Sequence, residues 1–406
     1  MHSKKAWLVL IAFLFSGCTH STTNSKETLS ELPSRLATIS DFLFEGAFAL
    51  PDSEYGQSSA NWAEGVIEVN GSSMFFVGHD HDNAIAEFSI PALRNTTRLT
   101  ELNYAETPRQ AFTRPLDRAI GGNPEQLDQI VGLELYKGRL VGNAIEYYDA
   151  PGDNRQSTFV IDDAAAISAS PVSGFYSLRG KTRASGWLSS VPPEWRQALG
   201  CTHITGHSSG GPIISRHSVG PSAFCINLDQ LTTESRKRTV KTSELLGFSL
   251  SRPLATDLFN EFRENHLWTH LSEARYGFII PGTSTYATFG TSGGHKSGVG
   301  YKIEHSGEPC AGYCPADPAD NYNYYWFWDA RDLLKVKAGR MPASSVRPYA
   351  SGKFDIPFQS AGKLNAIGGA SYDEQSGLLY ISVLKANNSL GQYSNPPVIV
   401  AYRISR

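Results

Sequence analysis

Charge, methionine and cysteine are all scarce in this chain, and no apolar run is long enough to span a bilayer as a helix. Charged residues make up 18% of the 406 positions, fewer than a set of amphipathic surface helices would display. The net charge of -3 gives no general basic field for nucleic acid, and Arg236-Lys237-Arg238 is short enough to be a solvated turn. Glycine (37 residues) and aromatic side chains (11%) are plentiful instead. That balance fits short strands joined by many turns.

The stretch Ala63 to Leu93 reads as three strands: Glu64 to Val69, Met74 to Gly78 and Ala84 to Ile90, separated by the turn Asn70-Gly71 and the polar run His79 to Asn83. Weaker copies follow. The second runs from Ile130 to Leu135, then Arg139 to Ile145 and Ser157 to Ile161. The third starts at Gly210-Gly211-Pro212-Ile213-Ile214 and reaches Ala223 to Leu228. The fourth has Arg275 to Ile280, Thr285 to Phe289 and Tyr324 to Asp329, and the fifth Ile367 to Tyr372, Leu378 to Val383 and Val398 to Ile404. One more strand-like run separates successive units, as at Leu102 to Phe112, Gly174 to Leu178 and Val346 to Phe354. Four strands per repeated unit predict an all-β chain folded as a β-propeller. The last unit has three strands and Phe42 to Leu50 has no partner of its own, so a five-bladed propeller closed by its N-terminal strand is expected. The glycine spacings between units, 67, 79, 66 and 92, are long for single blades and leave six or seven blades as the alternative, with a sandwich or two-domain β protein behind it. The inner-strand glycines Gly65, Gly132, Gly211, Gly277 and Gly369 are expected to serve close backbone approach around the channel.

At the N-terminus, His2, Lys4 and Lys5 precede the apolar run Ala6 to Phe15 and the small residues Ser16-Gly17-Cys18, the layout of a cleaved export signal. Phe15-Ser16-Gly17-Cys18 resembles the lipobox of bacterial lipoproteins. The resemblance covers 18 residues and implies a signal peptide over residues 1–17, a lipid anchor on Cys18 and, with Thr19 next, outer-membrane sorting. An ordinary signal peptide is the other reading. Residues 18–40 would then be a flexible tether and 41–406 the propeller. In an oxidising compartment the remaining cysteines are expected to pair as Cys201 with Cys225 and Cys310 with Cys314. A four-thiolate metal site does not suit their spacing.

Inner strands begin, and second strands end, on one face of a propeller. Residues at those places are therefore expected to converge at one mouth of the channel: Trp62, Glu64, His79, His81, Asn143, Tyr147, His207, Arg216, Arg275, Tyr276 and His295. In Gly78-His79-Asp80-His81-Asp82 an extended strand would put both imidazoles on one side, where they could share a divalent metal ion with a third ligand from His207, His217, His295 or Glu64. A solvated turn is the plainer reading. Five-bladed propellers include glycoside hydrolases, and Glu64 with Glu134 or Glu146 would imitate their carboxylate pair. Gly210, Tyr276 and Gly368, before the key glycines of the other units, supply no further carboxylates. His207-Ser208-Ser209-Gly210-Gly211 looks like a catalytic serine loop, but read from His207 it offers neither the G-x-S-x-G frame nor the strand-turn-helix context that exposes such a serine. Recognition of a small molecule or glycan by a monomer is the leading expectation, with a hydrolase or an envelope interaction scaffold as alternatives.

Overall fold

The structure, a computed structural model, describes residues 32–149, 151–208, 218–231, 239–305, 307–360, 362–391 and 393–405. From Pro33 onward these form one compact unit containing five antiparallel four-stranded sheets. Blade 1 comprises Ile67–Asn70, Ser73–Val77, Ile85–Ser89 and Gln110–Thr113. Blade 2 comprises Gln129–Tyr136, Arg139–Ile145, Gln156–Ile161 and Val172–Ser177, and blade 3 Trp187–Ser190, His203–Gly206, Ala223–Ile226 and Thr242–Leu246. Blade 4 comprises Glu273–Ile279, Thr285–Gly293, Asn321–Asp329 and Ala350–Lys353. Blade 5 takes Ile367–Asp373, Leu378–Val383 and Val398–Ile404 from the C-terminus and is completed by Phe42–Ala49, which pairs antiparallel with Val398–Ile404. The first strand of each set is innermost, and the five inner strands contact one another in a closed ring. The expected five-bladed propeller and its N-terminal closure are both present.

Between blades the sheets bury apolar side chains face to face. Phe48, Tyr380 and Ile399 of blade 5 meet Ile67, Met74 and Phe76 of blade 1, and Val66, Phe75 and Val77 meet Leu133, Leu140 and Phe159 of blade 2. A strand covered on both faces reads as a continuous apolar run, and all five residues of Ser73–Val77 are buried. Both disulfides join the expected partners, Cys201 with Cys225 and Cys310 with Cys314, at Cα separations of 5.6 and 6.4 Å.

Two expectations are corrected. The inner strand of blade 3 is Trp187–Ser190; the proposed strand at Gly210 to Ile214 falls outside the described residues. A twelve-residue connection, containing a short helix over Pro193–Leu199, separates Trp187–Ser190 from His203–Gly206 and hides their pairing from a reading that looks for tight turns. The body also begins before residue 41. Thr285 Oγ1 accepts from the Ala37 amide (2.8 Å), the Ala37 carbonyl accepts from Tyr349 Oη (2.7 Å) and the Arg35 carbonyl from the Ser284 amide (2.7 Å), so this segment is bonded to blade 4.

Glycine is required where inner strands nearly touch. A Cβ on Gly132 would collide with the Gly186 carbonyl oxygen, and one on Gly186 with that of Gly206. Register shifts also fall at the start of three inner strands, between Ile130 and Gly132, Ala274 and Tyr276, and Ile367 and Gly369. A bulge re-aims the extra side chain, and here the extra residues are Val131, Arg275 and Gly368.

Candidate functional site at the channel mouth

Those three bulge residues all line one cavity of about 230 Å³ at the start of the inner strands. The rest of its wall is Val66, Gln129, Ile145, Tyr147, Gly186, Trp187, His207, Ser208, Glu273 and Ala274. Its polar centre is a chain of side chains from three blades. Gln129 Nε2 donates to Glu64 Oε1 (3.0 Å), Arg275 Nη1 lies 3.4 Å from Glu64 Oε2, and Arg275 Nε lies 2.8 Å from Glu273 Oε1. Burial raises the Glu64 carboxyl above its ordinary range; Arg275 opposes this, while Glu273 and Asp80 reinforce it. Burial would lower the Arg275 pKa, but Glu273 and Glu64 outweigh it and hold the guanidinium charged. Val66, Val131, Ile145 and Trp187 add apolar side chains to the same lining. A second, outer cavity of about 590 Å³ shares Gln129 and Tyr147 with the mouth and is bounded by Asp80, His81, Asp82, Asn83, Arg114, Asp117 and Asp128.

Of the residues expected here, Glu64, Tyr147, His207 and Arg275 form the site or its wall, whereas Arg216 and His217 lie outside the described residues. Trp62 is exposed, with Lys385 Nζ 4.5 Å from its ring centroid, and stands outside the cavity wall. Asn143 is fully buried as an interblade brace: its amide donates to the Gly186 carbonyl (2.8 Å) and Thr205 Oγ1 (3.1 Å), and its oxygen accepts from Thr158. Tyr276 follows the bulge and so faces a lower chamber with Glu68 and Glu134. His295 is buried beneath the blade 4 insertion, with Nε2 2.7 Å from Ser292 Oγ and Nδ1 2.8 Å from the Asn265 carbonyl. Hydroxyl, base and orienting acceptor match a nucleophilic dyad, but both side chains are sealed in the fold and neither lines the mouth or the outer cavity.

The turn at residues 79–83 brings His79, Asp80 and His81 together, with one ligand atom from each within 4.8 Å of the others. His79 Nδ1 accepts from the His81 amide (3.2 Å) and lies 3.0 Å from Asp80 Oδ1. Among the described residues none of the proposed third ligands joins this cluster. Neither carboxylate partner proposed for Glu64 stands with it. Glu146 accepts from Asn154 (3.1 Å) and does not line the mouth. Glu134 is five residues along the strand from Gln129, about 16 Å at strand rise, beyond the roughly 6.5–9.5 Å of an inverting pair.

Sequence reading missed the second carboxylate on Arg275, Glu273, and most of the lower chamber. The serine loop was also read as lacking a G-x-S-x-G frame, whereas Gly206-His207-Ser208-Ser209-Gly210 has that spacing. Ser208 Oγ accepts from the Ala274 amide (2.9 Å) at the cavity wall. The spacing of His203 and His207, four apart as in helical zinc sites, occurs here on extended backbone, which separates the rings by about 13 Å. The signal for the lower chamber was present in Ile67-Glu68-Val69 and Leu133-Glu134-Leu135, a lone carboxylate between apolar neighbours on an innermost strand.

No protein-family model matches this chain, and no curated protein matches it either. Among solved structures, it is similar to a thermostable family-43 glycoside hydrolase at 9% identity and a TM-score of 0.40, over 86% of this chain and 91% of that one. A glycosyl hydrolase from Bacteroides ovatus aligns at 11% identity and 0.34, over 91% and 92%. An exo-1,5-alpha-L-arabinanase from a bovine ruminal metagenomic library aligns at 8% and 0.36, over 86% and 94%. Similarity at this level carries no argument about activity, and the propeller assignment rests on the strand pairing itself.

The lower chamber fixes a pH dependence. Burial, then repulsion from Glu374, pushes the Glu134 carboxyl up to about 8. Burial, then Arg196, lowers His203, 3.3 Å away, to about 4. Between about pH 6.5 and 8 the folded chain keeps a proton on Glu134 that the unfolded chain has released, so stability falls as pH rises. Below pH 6.5 the unfolded histidine takes up a proton that buried His203 refuses, and the slope from that residue has the opposite sign. Urea unfolding in EDTA should therefore show stability decreasing from pH 6.5 to 8, by at most about 1.4 kcal/mol per pH unit for each proton. Glu134→Gln should flatten that limb, and an unchanged slope would show that Glu134 is ionised throughout.

Proposed function

We propose that the chain is a binding protein that takes one terminal sugar, or a polyol of similar size, into the channel mouth and lays the rest of a glycan along the outer cavity. The observation that carries this reading is the mixed lining of the mouth: Gln129, Glu273 and Arg275, fixed in place by Glu64 behind them, offer donors and acceptors, and Val66, Val131, Ile145 and Trp187 offer apolar surface. A sugar ring presents hydroxyls at its rim and C–H groups on its faces, which such a wall complements. Tyr147, 56% exposed, stands where the two cavities meet and is placed to stack on the next unit. Recognition without chemistry is preferred to hydrolysis because Glu64 and Glu273 grip the same guanidinium instead of facing each other across a substrate-sized gap. Asp80 and His81 are read as contacts of the outer cavity they line rather than as a metal centre with His79, since no further ligand joins the three among the described residues.

Titration calorimetry against a panel of neutral oligosaccharides should find a ligand whose binding weakens about tenfold or more in Gln129→Ala and in Tyr147→Ala, with thermal stability nearly unchanged in the latter. Binding that both variants retain would remove the proposal. Release of free sugar from the panel would replace it with a hydrolase.

We also infer that the chain is exported and held to a membrane, on its periplasmic or its outer side, through a lipid on Cys18. Labelling with radioactive palmitate in a bacterial host should mark the chain and be abolished by Cys18→Ala; an unlabelled, released wild-type chain would support the ordinary signal peptide.

A further inference from the structure

The lower chamber is independent of the mouth and has its own composition. Glu68 of blade 1, Glu134 of blade 2, Ser189 and Ser190 of blade 3, Tyr276 and Phe278 of blade 4, and Ser371 and Tyr372 of blade 5 enclose about 20 Å³, room for a single small species. The polar atoms they bring are overwhelmingly oxygens. Glu68 Oε1 accepts from the Leu135 amide (3.0 Å) and Glu68 Oε2 from Ser371 Oγ (3.0 Å). Both oxygens of Glu68 are thus held in place by donors. Tyr276 Oη accepts from the Tyr372 amide (3.2 Å) and so keeps its own proton to orient. Ser189 is only 2% exposed, and its Oγ has no hydrogen-bond partner among the described residues. An orphaned buried hydroxyl costs about 1–3 kcal/mol unless something in the chamber satisfies it.

The charges around this space do not balance. Glu68 faces Glu134 and Asp373, Glu134 faces Glu374 and His203, and Arg196, Glu374 and Asp229 act on His203. No lysine or arginine ion-pairs with either inner carboxyl group among the described salt bridges. Two buried carboxyl groups in this setting must either keep protons or take a cation. Oxygen donors select hard cations. Magnesium retains several waters, for which a one-species chamber has no space, whereas calcium accepts protein oxygens in their place.

We propose that the lower chamber binds one hard divalent cation of calcium size, through the carboxylates of Glu68 and Glu134 and the hydroxyls of Ser189 and Tyr276. The ion ties together the inner strands of four blades below the mouth. The sugar-binding reading of the mouth is not needed for this inference.

The test is equilibrium dialysis of the purified full chain, first stripped with EDTA, against calcium chloride at about pH 8.5 and about pH 6, with bound calcium measured by mass spectrometry. One calcium per chain is expected at the higher pH. Glu68→Gln with Glu134→Gln should abolish it, and Ser189→Ala should weaken it about tenfold. His79→Ala with His81→Ala should leave it intact, which separates this chamber from the cluster at the rim. Absence of bound calcium in the wild-type chain at both pH values would overturn the proposal whether or not the glutamine variant folds, and so would calcium lost only in the histidine variant.

Discussion

Everything in this chain depends on how closely five strands can crowd around one axis. The inner strands of blades 2 and 3 approach until the Cβ position of Gly132 falls on the Gly186 carbonyl, so glycine is the residue that permits contact. Crowding has a second effect at the start of three inner strands, where a bulge relieves the register and turns one residue out of the ladder. Because Val131, Arg275 and Gly368 occupy those bulges, a local solution to packing also furnishes the wall of the mouth.

The same axis separates two kinds of polarity. At the mouth, Arg275 compensates Glu64 and Glu273, so buried carboxylates stay bonded and available beside solvent. Below, no lysine or arginine among the described residues ion-pairs with Glu68 or Glu134; burial raises both, and Asp373 and Glu374 add like charge around a chamber of serine and tyrosine side chains beside His203. A network that includes its counter-charge is suited to hydrogen-bonding a neutral ligand. A network without one depends on protons or an ion, and its consequences are for stability. The roughly 16 Å of strand between the two levels keeps them from acting as one catalytic pair.

Blade number and closure were legible in the sequence because they follow from repetition: three-strand units, an outer run between units and an unpartnered Phe42 to Leu50. Blade 3 was misplaced because its pairing spans a helix and its true glycine, Gly186, precedes only the short strand Trp187–Ser190. The mouth was half legible. The starts of inner strands and the ends of second strands share one face, and the fold brings Arg275, Tyr147 and His207 to the lining of the mouth, with Glu64 bonded behind it. Asn143 and Tyr276 were misassigned because a bulge or an interblade hydrogen bond decides which way one residue points, and neither leaves a trace in residue spacing. His79 and His81 do come together, through the turn at residues 79–83 and not along an extended strand.

The division of the channel into two independent polar ends is tested most directly by carbon NMR of glutamate-labelled protein, following each side-chain carboxyl through a pH titration in EDTA. Glu134 should titrate near 8, with Glu68 also displaced upward, and Glu64→Gln should leave both unmoved. Titration of Glu134 in the ordinary carboxylate range, or a shift of either lower carboxyl when Glu64 is replaced, would contradict the account.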